Sequence, residues 1–359
     1  MAACVVEAAP AAVAVRHHAA AQPTRKRMRV AMGTTDDYER ISSLGEGAFG
    51  DVFKARHRAT GRAVAIKHLS DPVGLGGHDA LLREALFLKA CAGNPFVVGF
   101  HGLARDPANM KLCLIMDCGG QSLHDILEQR LDSETPPPLP EDTVRAAMWQ
   151  LLTGAKKMHD AHIIHRDIKP SNILVGDDRV VRFCDLGLAV YMAEPPPYKP
   201  MGTLWYMAPE MLLGKTDYDA LVDTWSLGCV MAELIDGDTL FQGFDEEDQL
   251  RTIFDVLGAP DDKTWPLFSS TAFAAKVSPD LYRRRNKHNL LREEFPETML
   301  SDEGFEVLSG LLTCNPVKRL TAAAALKHPW FAKIQDLELP KKEEVMLSPL
   351  PKRRRMDAA

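Results

Sequence analysis

The chain has 359 residues, a formal net charge of −6 and a composition that is 46% hydrophobic and 26% charged. This composition is typical of a globular protein with one large domain or two lobes; the acidic balance gives no reason to expect nucleic-acid binding, and no apolar run reaches the roughly 18–20 residues that span a bilayer. The seven cysteines are scattered, without disulfide-framework or metal-ligand spacing, which favours a reducing compartment.

Both ends of the chain are predicted to be disordered tails. Residues 1–37 are rich in alanine with a basic cluster at 25–29, and residues 334–359 carry a second basic cluster at 352–355. Such clusters are compatible with nuclear import but are often plain solvated tails, so nucleus and cytoplasm both stay open. A transit peptide is a weaker alternative, because Glu7 is acidic and the segment lacks serine.

The first folded segment is predicted to be strand-rich. Residues 38–44 lead into a glycine-rich loop at 45–50, and a turn at 59–61 precedes a strand at 63–67. The pattern G-x-G-x-x-G also occurs in dinucleotide-binding proteins, but there it opens a helix, whereas residues 51–56 are strand-like. Because glycine has no Cβ atom, the backbone of such a loop can close over phosphate groups.

Helical periodicity then alternates with short apolar strands. One amphipathic helix is predicted over 78–91 and a longer one over 141–159, which begins after Pro140. The apolar face of the first helix is predicted to contain Ala80, Leu81, Ala85 and Leu88. The apolar face of the second is predicted to contain Val144, Met148, Leu151, Leu152, Ala155 and Met158. Further elements are predicted as a strand at 111–116, a helix at 122–130 and strands at 173–175 and 180–183.

The stretch 165–172 is the most informative part of the sequence. Pro170 lacks an amide N–H and so favours a loop. Within this loop Asp167 can accept a proton, Lys169 can neutralise a phosphate and Asn172 can bind a hard metal ion through its amide oxygen. Such a trio alone is often structural, but the order His-Arg-Asp-x-Lys-x-x-Asn resembles the catalytic loop of eukaryotic serine/threonine protein kinases.

Other motifs follow in the order found in that family. Lys67 ends a Val-Ala-Ile-Lys strand, Asp185 opens an Asp-Leu-Gly variant of the metal-binding motif, and Glu210 ends an Ala-Pro-Glu motif. The resemblance implies a buried ion pair between Glu210 and Arg319. It also implies that Asp223 braces the backbone of the catalytic loop.

The resemblance covers residues 38–333 and implies an α+β, bilobal protein kinase fold. The strand-rich N-lobe is expected at 38–117 and the helical C-lobe at 118–333, with Mg-ATP bound between them. Within kinases, Gly45-Glu46-Gly47, Leu82-Arg83-Glu84, Thr203-Leu204-Trp205-Tyr206 and the stretch 223–229 resemble the cyclin-dependent family. The alanine-rich termini resemble those of plant members, of the F type. The expected partner is a protein substrate, whereas a cyclin stays open and neither nucleic acid nor membrane is expected.

The resemblance also implies individual roles at the site. Asp167 orients and deprotonates the substrate hydroxyl, Lys169 stabilises the transferred phosphoryl group, and Thr203 contacts Asp167. Mg²⁺ is assigned to Asn172 and Asp185, and Glu84 is the chosen partner of Lys67, with Asp79 as a weaker competitor. Met116 is the expected gatekeeper at the back of the adenine pocket, although a buried methionine is often plain core. The residues assigned to the nucleotide are Leu44, Gly45, Glu46, Gly47, Ala48, Phe49, Gly50, Asp51, Val52, Ala65, Lys67, Glu84, Met116, Asp117, Cys118, Gly119 and Leu174.

Several departures from the cyclin-dependent pattern concern regulation. Ala48 and Phe49 replace the Thr-Tyr pair at which phosphorylation inhibits these kinases, and the cyclin-contacting helix keeps only its Arg-Glu end. The activation segment, 188–210, lacks the activating threonine, and Tyr198 lies nearest its place. Met207 replaces an arginine that helps the family accept proline after the target residue, so proline-directed specificity is open.

The third phosphate-holding arginine of the family is also missing. Arg83 and Arg166 match two of the three, but Val190 stands at the third position. Either packing of residues 195–197 holds the segment, which is the preferred interpretation, or phosphate capture is weakened. The competing functional class is a catalytically inactive kinase-fold scaffold. Such scaffolds usually lack the strand lysine, the catalytic aspartate or the metal-binding aspartate, whereas Lys67, Asp167 and Asp185 are all present.

Overall fold

The structure is a computed structural model that describes residues 32–47, 50–68, 77–131, 139–266, 268–272, 274 and 288–334. Its strands are β1 (Met32–Thr34), β2 (Tyr38–Gly47), β3 (Gly50–His57), β4 (Ala63–His68), β5 (Phe100–Arg105), β6 (Leu112–Asp117), β7 (Gln121–Ser122), β8 (Ile163–Ile164), β9 (Ile173–Val175), β10 (Val181–Phe183) and β11 (Val190–Tyr191). Its helices are α1 (Gly77–Ala90), α2 (Leu123–Leu131), α3 (Glu141–Asp160), α4 (Pro209–Leu212), α5 (Leu221–Asp236), α6 (Glu246–Leu257), α7 (Leu291–Glu294), α8 (Asp302–Leu311) and α9 (Ala322–Ala325).

Six strands form the N-terminal sheet in the order β1-β5-β6-β4-β3-β2. Neighbours pair antiparallel except β1 and β5, which run parallel. A turn at residues 58–62 joins β3 to β4, and Gly61 takes a left-handed φ of 71° there. Helix α1 lies between β4 and β5 in the chain and the other helices follow the sheet, so the predicted α+β, bilobal architecture is confirmed.

Strand β1 extends the sheet beyond its predicted start. Residues up to 37 were expected to be a disordered tail, but Met32 pairs with Leu103 and Thr34 pairs with Arg105. The reason is tertiary, because without β1 the strand β5 would form the edge of the sheet and its outer backbone groups would lack partners. Three residues without alternating hydrophobicity carry no local signal for a strand.

Helix α1 buries a face that differs slightly from the predicted one. Leu81, Ala85 and Leu88 are buried as expected, whereas Ala80 is exposed and Phe87 is buried. The prediction that Ala80 belongs to the buried face was wrong. The buried stripe of the helix runs through Leu81 and Leu88, which leaves Ala80 on the solvent side. A charged residue, Glu84, also lies on this buried face.

Two helices form the centre of the second lobe. All six apolar residues predicted to form the buried face of α3 are buried. Helix α5 is buried from Val222 to Ile235 and ends at Gly237, whose φ of 95° forms the left-handed C-cap. Within the described ranges, every helix is too short or too polar to cross a bilayer.

Some predicted features lie outside the described residues. These are Ala48 and Phe49 of the glycine-rich loop, residues 1–31 and residues 335–359. Parts of the stretch 243–300 also lie outside them. The described part of that stretch contains α6 and α7.

Candidate active site

A buried lysine lies at the centre of the cleft between the sheet and the helices. Lys67 on β4 is 2.9 Å from Oε2 of Glu84 on α1 and 3.0 Å from Oδ1 of Asp185. Lys67 and Glu84 are 6% and 2% exposed, so their charges are compensated by these side-chain contacts and not by water. The ion pair predicted between Lys67 and Glu84 is therefore present.

The electrostatics of this triad follow from its burial. Burial raises the pKa of Glu84, although Lys67 opposes this. Burial alone would lower the pKa of Lys67, but the carboxylates of Glu84 and Asp185 raise it above its ordinary value. The pKa of Asp185 is held below its ordinary range despite burial, because Lys67 lies beside it. Lys67 is thus a fixed cation at the bottom of the cleft.

The catalytic loop brings its predicted residues into direct contact. The Thr203 hydroxyl donates to Oδ1 of Asp167 at 2.7 Å, and Lys169 Nζ donates to the same hydroxyl at 2.6 Å. Lys169 Nζ is also 3.2 Å from Oδ2 of Asp167. Asn172 donates to both the carbonyl and Oδ2 of Asp167 at 2.9 Å. The orientation of the Asp167 carboxylate is therefore set by three side chains.

A buried aspartate from α5 holds the loop backbone. Asp223 accepts hydrogen bonds from the backbone N–H groups of His165 and Arg166, each at 2.9 Å, and lies 2.9 Å from His159. Arg166 adopts a left-handed φ of 69°, which is energetically unfavourable for a residue other than glycine. The hydrogen bonds to Asp223 hold the backbone in this conformation. Burial would raise the pKa of Asp223, but the bonds from His159 and His165 hold it below its ordinary value.

Replacing Asp223 by Asn should therefore destabilise the loop. One backbone N–H would face an amide NH₂ instead of an oxygen, and an unsatisfied buried donor costs about 1–3 kcal/mol. We expect a lower free energy of unfolding by urea denaturation and a lower kcat. The matched control is Asp219→Asn at an exposed position that accepts from the Leu221 N–H, a bond that the amide oxygen of Asn can also accept. Equal effects of the two substitutions would contradict this role for Asp223.

The residues predicted to line the adenine pocket come from both lobes. The strand register places Ala65 opposite Met116 and Val52 opposite Lys67. A Cβ atom built on Gly119 would lie 2.6 Å from a methyl group of Leu174, so Leu174 packs directly against the chain that links the lobes. Met116 is buried at the predicted gatekeeper position.

Asp117 has a second role that the sequence did not indicate. Its carboxylate accepts from Arg62 at 2.9 Å and from the Gly99 N–H at 2.9 Å, and it lies 2.7 Å from His101. Burial would raise the pKa of Asp117, but His101 and Arg62 keep it below its ordinary value. The Asp117 side chain therefore fixes the position of the linker between the lobes, which begins at this residue. The next residue of the linker, Cys118, is partly exposed.

The glycine-rich loop lies along the edge formed by β2 and β3. Gly45 pairs with Val52, Glu46 with Asp51 and Gly47 with Gly50 across a hairpin whose tip is outside the described residues. Gly50 takes a left-handed φ of 131°, which favours glycine. Leu44, at the start of the loop, is 47% exposed.

The predicted structural ion pair is also present. Both carboxylate oxygens of Glu210 lie 2.7 Å from the guanidinium of Arg319, and both side chains are almost fully buried. Arg319 also donates to three backbone carbonyl groups, those of Thr313, Leu221 and Cys314. The pair joins the end of the activation segment to the start of α5 and to the segment 313–319.

The activation segment is held differently from the preferred prediction. Residues 195–197 are exposed, so proline packing does not anchor it. Instead Arg83 Nη2 lies 2.8 and 3.0 Å from the two carboxylate oxygens of Glu194. Arg166 donates to the carbonyl of Leu188 and to the hydroxyl of Tyr218. Both predicted phosphate-holding arginines thus have protein partners. The sequence analysis missed Glu194 as a partner of Arg83. The signal was an acidic residue in an activation segment that lacks the usual threonine.

A comparison with protein-family models identifies the family of the chain. The protein kinase domain matches residues 38–331 of the chain. The chain therefore belongs to the protein kinase family. Within it, the chain is a cyclin-dependent-kinase-like serine/threonine kinase that resembles plant members.

Three relatives illustrate the resemblance. A candidate cyclin-dependent kinase F-2 of Oryza sativa subsp. japonica is 44% identical over 82% of this chain and 89% of its own length. Cyclin-dependent kinase G1 of Arabidopsis thaliana is 35% identical over 92% of this chain, which spans 54% of that relative. Cyclin-dependent kinase 14 of Xenopus laevis is 33% identical over 87% of this chain and 68% of its own length.

Proposed function

We propose that the cleft binds Mg-ATP and transfers its γ-phosphoryl group to a serine or threonine hydroxyl of a protein. The observation that carries this proposal is that direct contacts assemble two charged clusters. One is Lys67 with Glu84 and Asp185, and the other is Asp167 with Lys169 and Thr203. Phosphoryl transfer depends mainly on positioning and charge stabilisation, which such clusters supply.

The oxygen atoms near the catalytic loop suit a magnesium ion. Asn172 uses its amide nitrogen on Asp167, which leaves its amide oxygen for a cation. Asp185 uses Oδ1 for Lys67 and for the Gly187 N–H, which leaves Oδ2. Amide and carboxylate oxygens are the donors that Mg²⁺ prefers, and the bound ion would neutralise phosphate charge. Asn172 and Asp185 are therefore the residues that would hold it.

The remaining residues position the reactants. Asp167, fixed by Thr203 and Asn172, would accept a hydrogen bond from the substrate hydroxyl and then its proton. Lys169 would face the transferred phosphoryl group, and Lys67 would hold the α- and β-phosphates. Adenine would lie between Ala65 and Leu174 and bond to the backbone of the linker that begins at Asp117.

The partners follow from the same proposal. A protein substrate is required, and the names of the relatives support a cyclin as a second partner. The retained Arg83-Glu84 pair fits such a partner, whereas the rest of α1 departs from the family pattern. The basic clusters at 25–29 and 352–355 support a nuclear as well as a cytoplasmic location.

The nucleotide proposal predicts a metal-dependent thermal shift. Mg-ATP at about 100 times its Kd should stabilise the protein by about 2.7 kcal/mol. EDTA should remove most of this gain, and Asp185→Asn should weaken the magnesium dependence of binding. Asp178→Asn is the matched control, because Asp178 pairs with Arg182 on the surface. A chain that Mg-ATP does not stabilise would behave as an inactive scaffold and would contradict the proposal.

A further inference from the structure

Glu194 is the acidic residue of the activation segment that contacts the first lobe. Its two carboxylate oxygens lie 2.8 and 3.0 Å from Nη2 of Arg83, whose same nitrogen is 3.4 Å from the Ala189 carbonyl. The side chains of Arg83 and Glu194 are 43% and 38% exposed, so the pair lies at the rim of the cleft. Its strength should therefore fall as salt is added.

Arg83 connects this acid to the nucleotide-binding lysine. It precedes Glu84 on α1, and Glu84 is the carboxylate that holds Lys67. The Arg83 guanidinium also lies 5.2 Å from the centre of the Phe87 ring, and that ring lies 4.7 Å from the ring of Tyr191. Contacts with the activation segment thus bear on the same turn of α1 that orients Lys67.

Glu194 also organises the segment itself. Its Oε1 accepts the Tyr191 N–H at 3.3 Å, its own N–H donates to the Tyr191 carbonyl at 2.9 Å, and its carbonyl accepts the Tyr198 hydroxyl at 2.7 Å. Tyr191 in turn belongs to β11, which pairs with β8 just before the catalytic loop. One residue therefore joins the segment, α1 and the strand next to the loop.

We propose that Glu194 supplies the negative charge that related kinases place on this segment by phosphorylation. It is a positioning residue that keeps α1 and the Lys67–Glu84 pair in place without a phosphate group. The inference rests on the proposed function of the cleft. A carboxylate carries one negative charge, whereas a phosphate group carries about 1.5 to 2. The smaller charge needs fewer arginines, which is consistent with Val190 at the position of the third arginine.

The expected effect is moderate and specific. In phosphate-free protein, Glu194→Gln should lower kcat/KM for ATP about twofold to fivefold, the factor that corresponds to one partly exposed ion pair. Arg83→Gln should give a similar loss, and the double variant should lose no more than either single one, because both remove one interaction. High salt should reduce the difference between wild type and the variants.

The experiment uses the full chain after phosphatase treatment, with removal of phosphate checked by intact mass. Phosphate transfer is measured beside hydrogen exchange of residues 77–90 and 189–199. Glu194→Gln should speed exchange in both segments, whereas the matched control Glu247→Gln should change neither. Glu247 also forms a partly exposed ion pair, with Arg251 on α6.

Three outcomes would overturn the proposal for Glu194. One is wild-type protein that is inactive without phosphate and gains activity when Tyr198 or another residue of the segment is phosphorylated. Another is a Glu194→Gln variant that matches Glu247→Gln in exchange. The third is additive losses in the double variant. If wild-type protein transfers no phosphate at all, the proposed function of the cleft fails, and the exchange of the two segments still decides the role of Glu194.

Discussion

Replacing Asp167 by Asn is expected to lower kcat about 10²- to 10⁴-fold, the usual contribution of a positioned general base. The substitution keeps the shape of the side chain but removes the basic oxygen. Thr203 and Asn172 donate to different carboxylate oxygens of Asp167, so the amide oxygen of the variant can keep one of these two bonds. Asn172 also donates to the backbone carbonyl of residue 167, and the substitution leaves that bond unchanged. Steady-state phosphate transfer to a generic protein substrate measures the loss.

Binding of Mg-ATP separates this effect from misfolding. The Asp167→Asn variant should show the same thermal stabilisation by Mg-ATP as wild type, because Lys67 and Asp185 are unchanged. A variant that keeps its phosphate transfer would show that Asp167 has no catalytic role. Loss of both transfer and binding would show that Asp167 supports the nucleotide site instead.

Replacing Arg319 by Met is expected to lower the free energy of unfolding by about 3–5 kcal/mol, because it leaves a buried carboxylate without its partner. The Glu210 side chain is almost fully buried, so water cannot replace the guanidinium. The three carbonyl groups that accept from Arg319 would lose a donor as well. Urea denaturation of the phosphate-free chain measures the change.

The matched control is Arg251→Met, which breaks an ion pair of similar chemistry on the surface of α6. Exposed pairs contribute about 0.2–1 kcal/mol, so this variant should remain close to wild type. If the denaturation midpoints of Arg319→Met and Arg251→Met were equal, the pair between Glu210 and Arg319 would have no special structural importance.

The motif residues were predictable because phosphate chemistry restricts them to fixed types and spacings. Lys67, Asp167 and Asp185 are recognisable for this reason, and their mutual contacts follow from the fold that the motifs imply. Helix faces were predicted well where apolar periodicity is regular, as in α3. Glu84 lies on the buried face of α1, where apolar periodicity alone would not have placed a charge.

Contacts that arise only from tertiary packing were not predictable. Arg83 and Glu194 are 111 positions apart, and neither has a local pattern that selects the other. Strand β1 forms because the edge of β5 is available, not because its three residues favour a strand. The carboxylate of Asp117 finds Arg62, His101 and Gly99 only once three strands are side by side.

The most direct test of the account is transfer of radiolabelled γ-phosphate by the purified chain, with and without added cyclin, followed by phosphoamino acid analysis. We expect label on serine and threonine but not on tyrosine, and no label with Asp167→Asn. A wild-type chain that transfers no label under either condition and is not stabilised by Mg-ATP would contradict the account. Label that persists in Asp167→Asn, or that appears only on tyrosine, would contradict it as well.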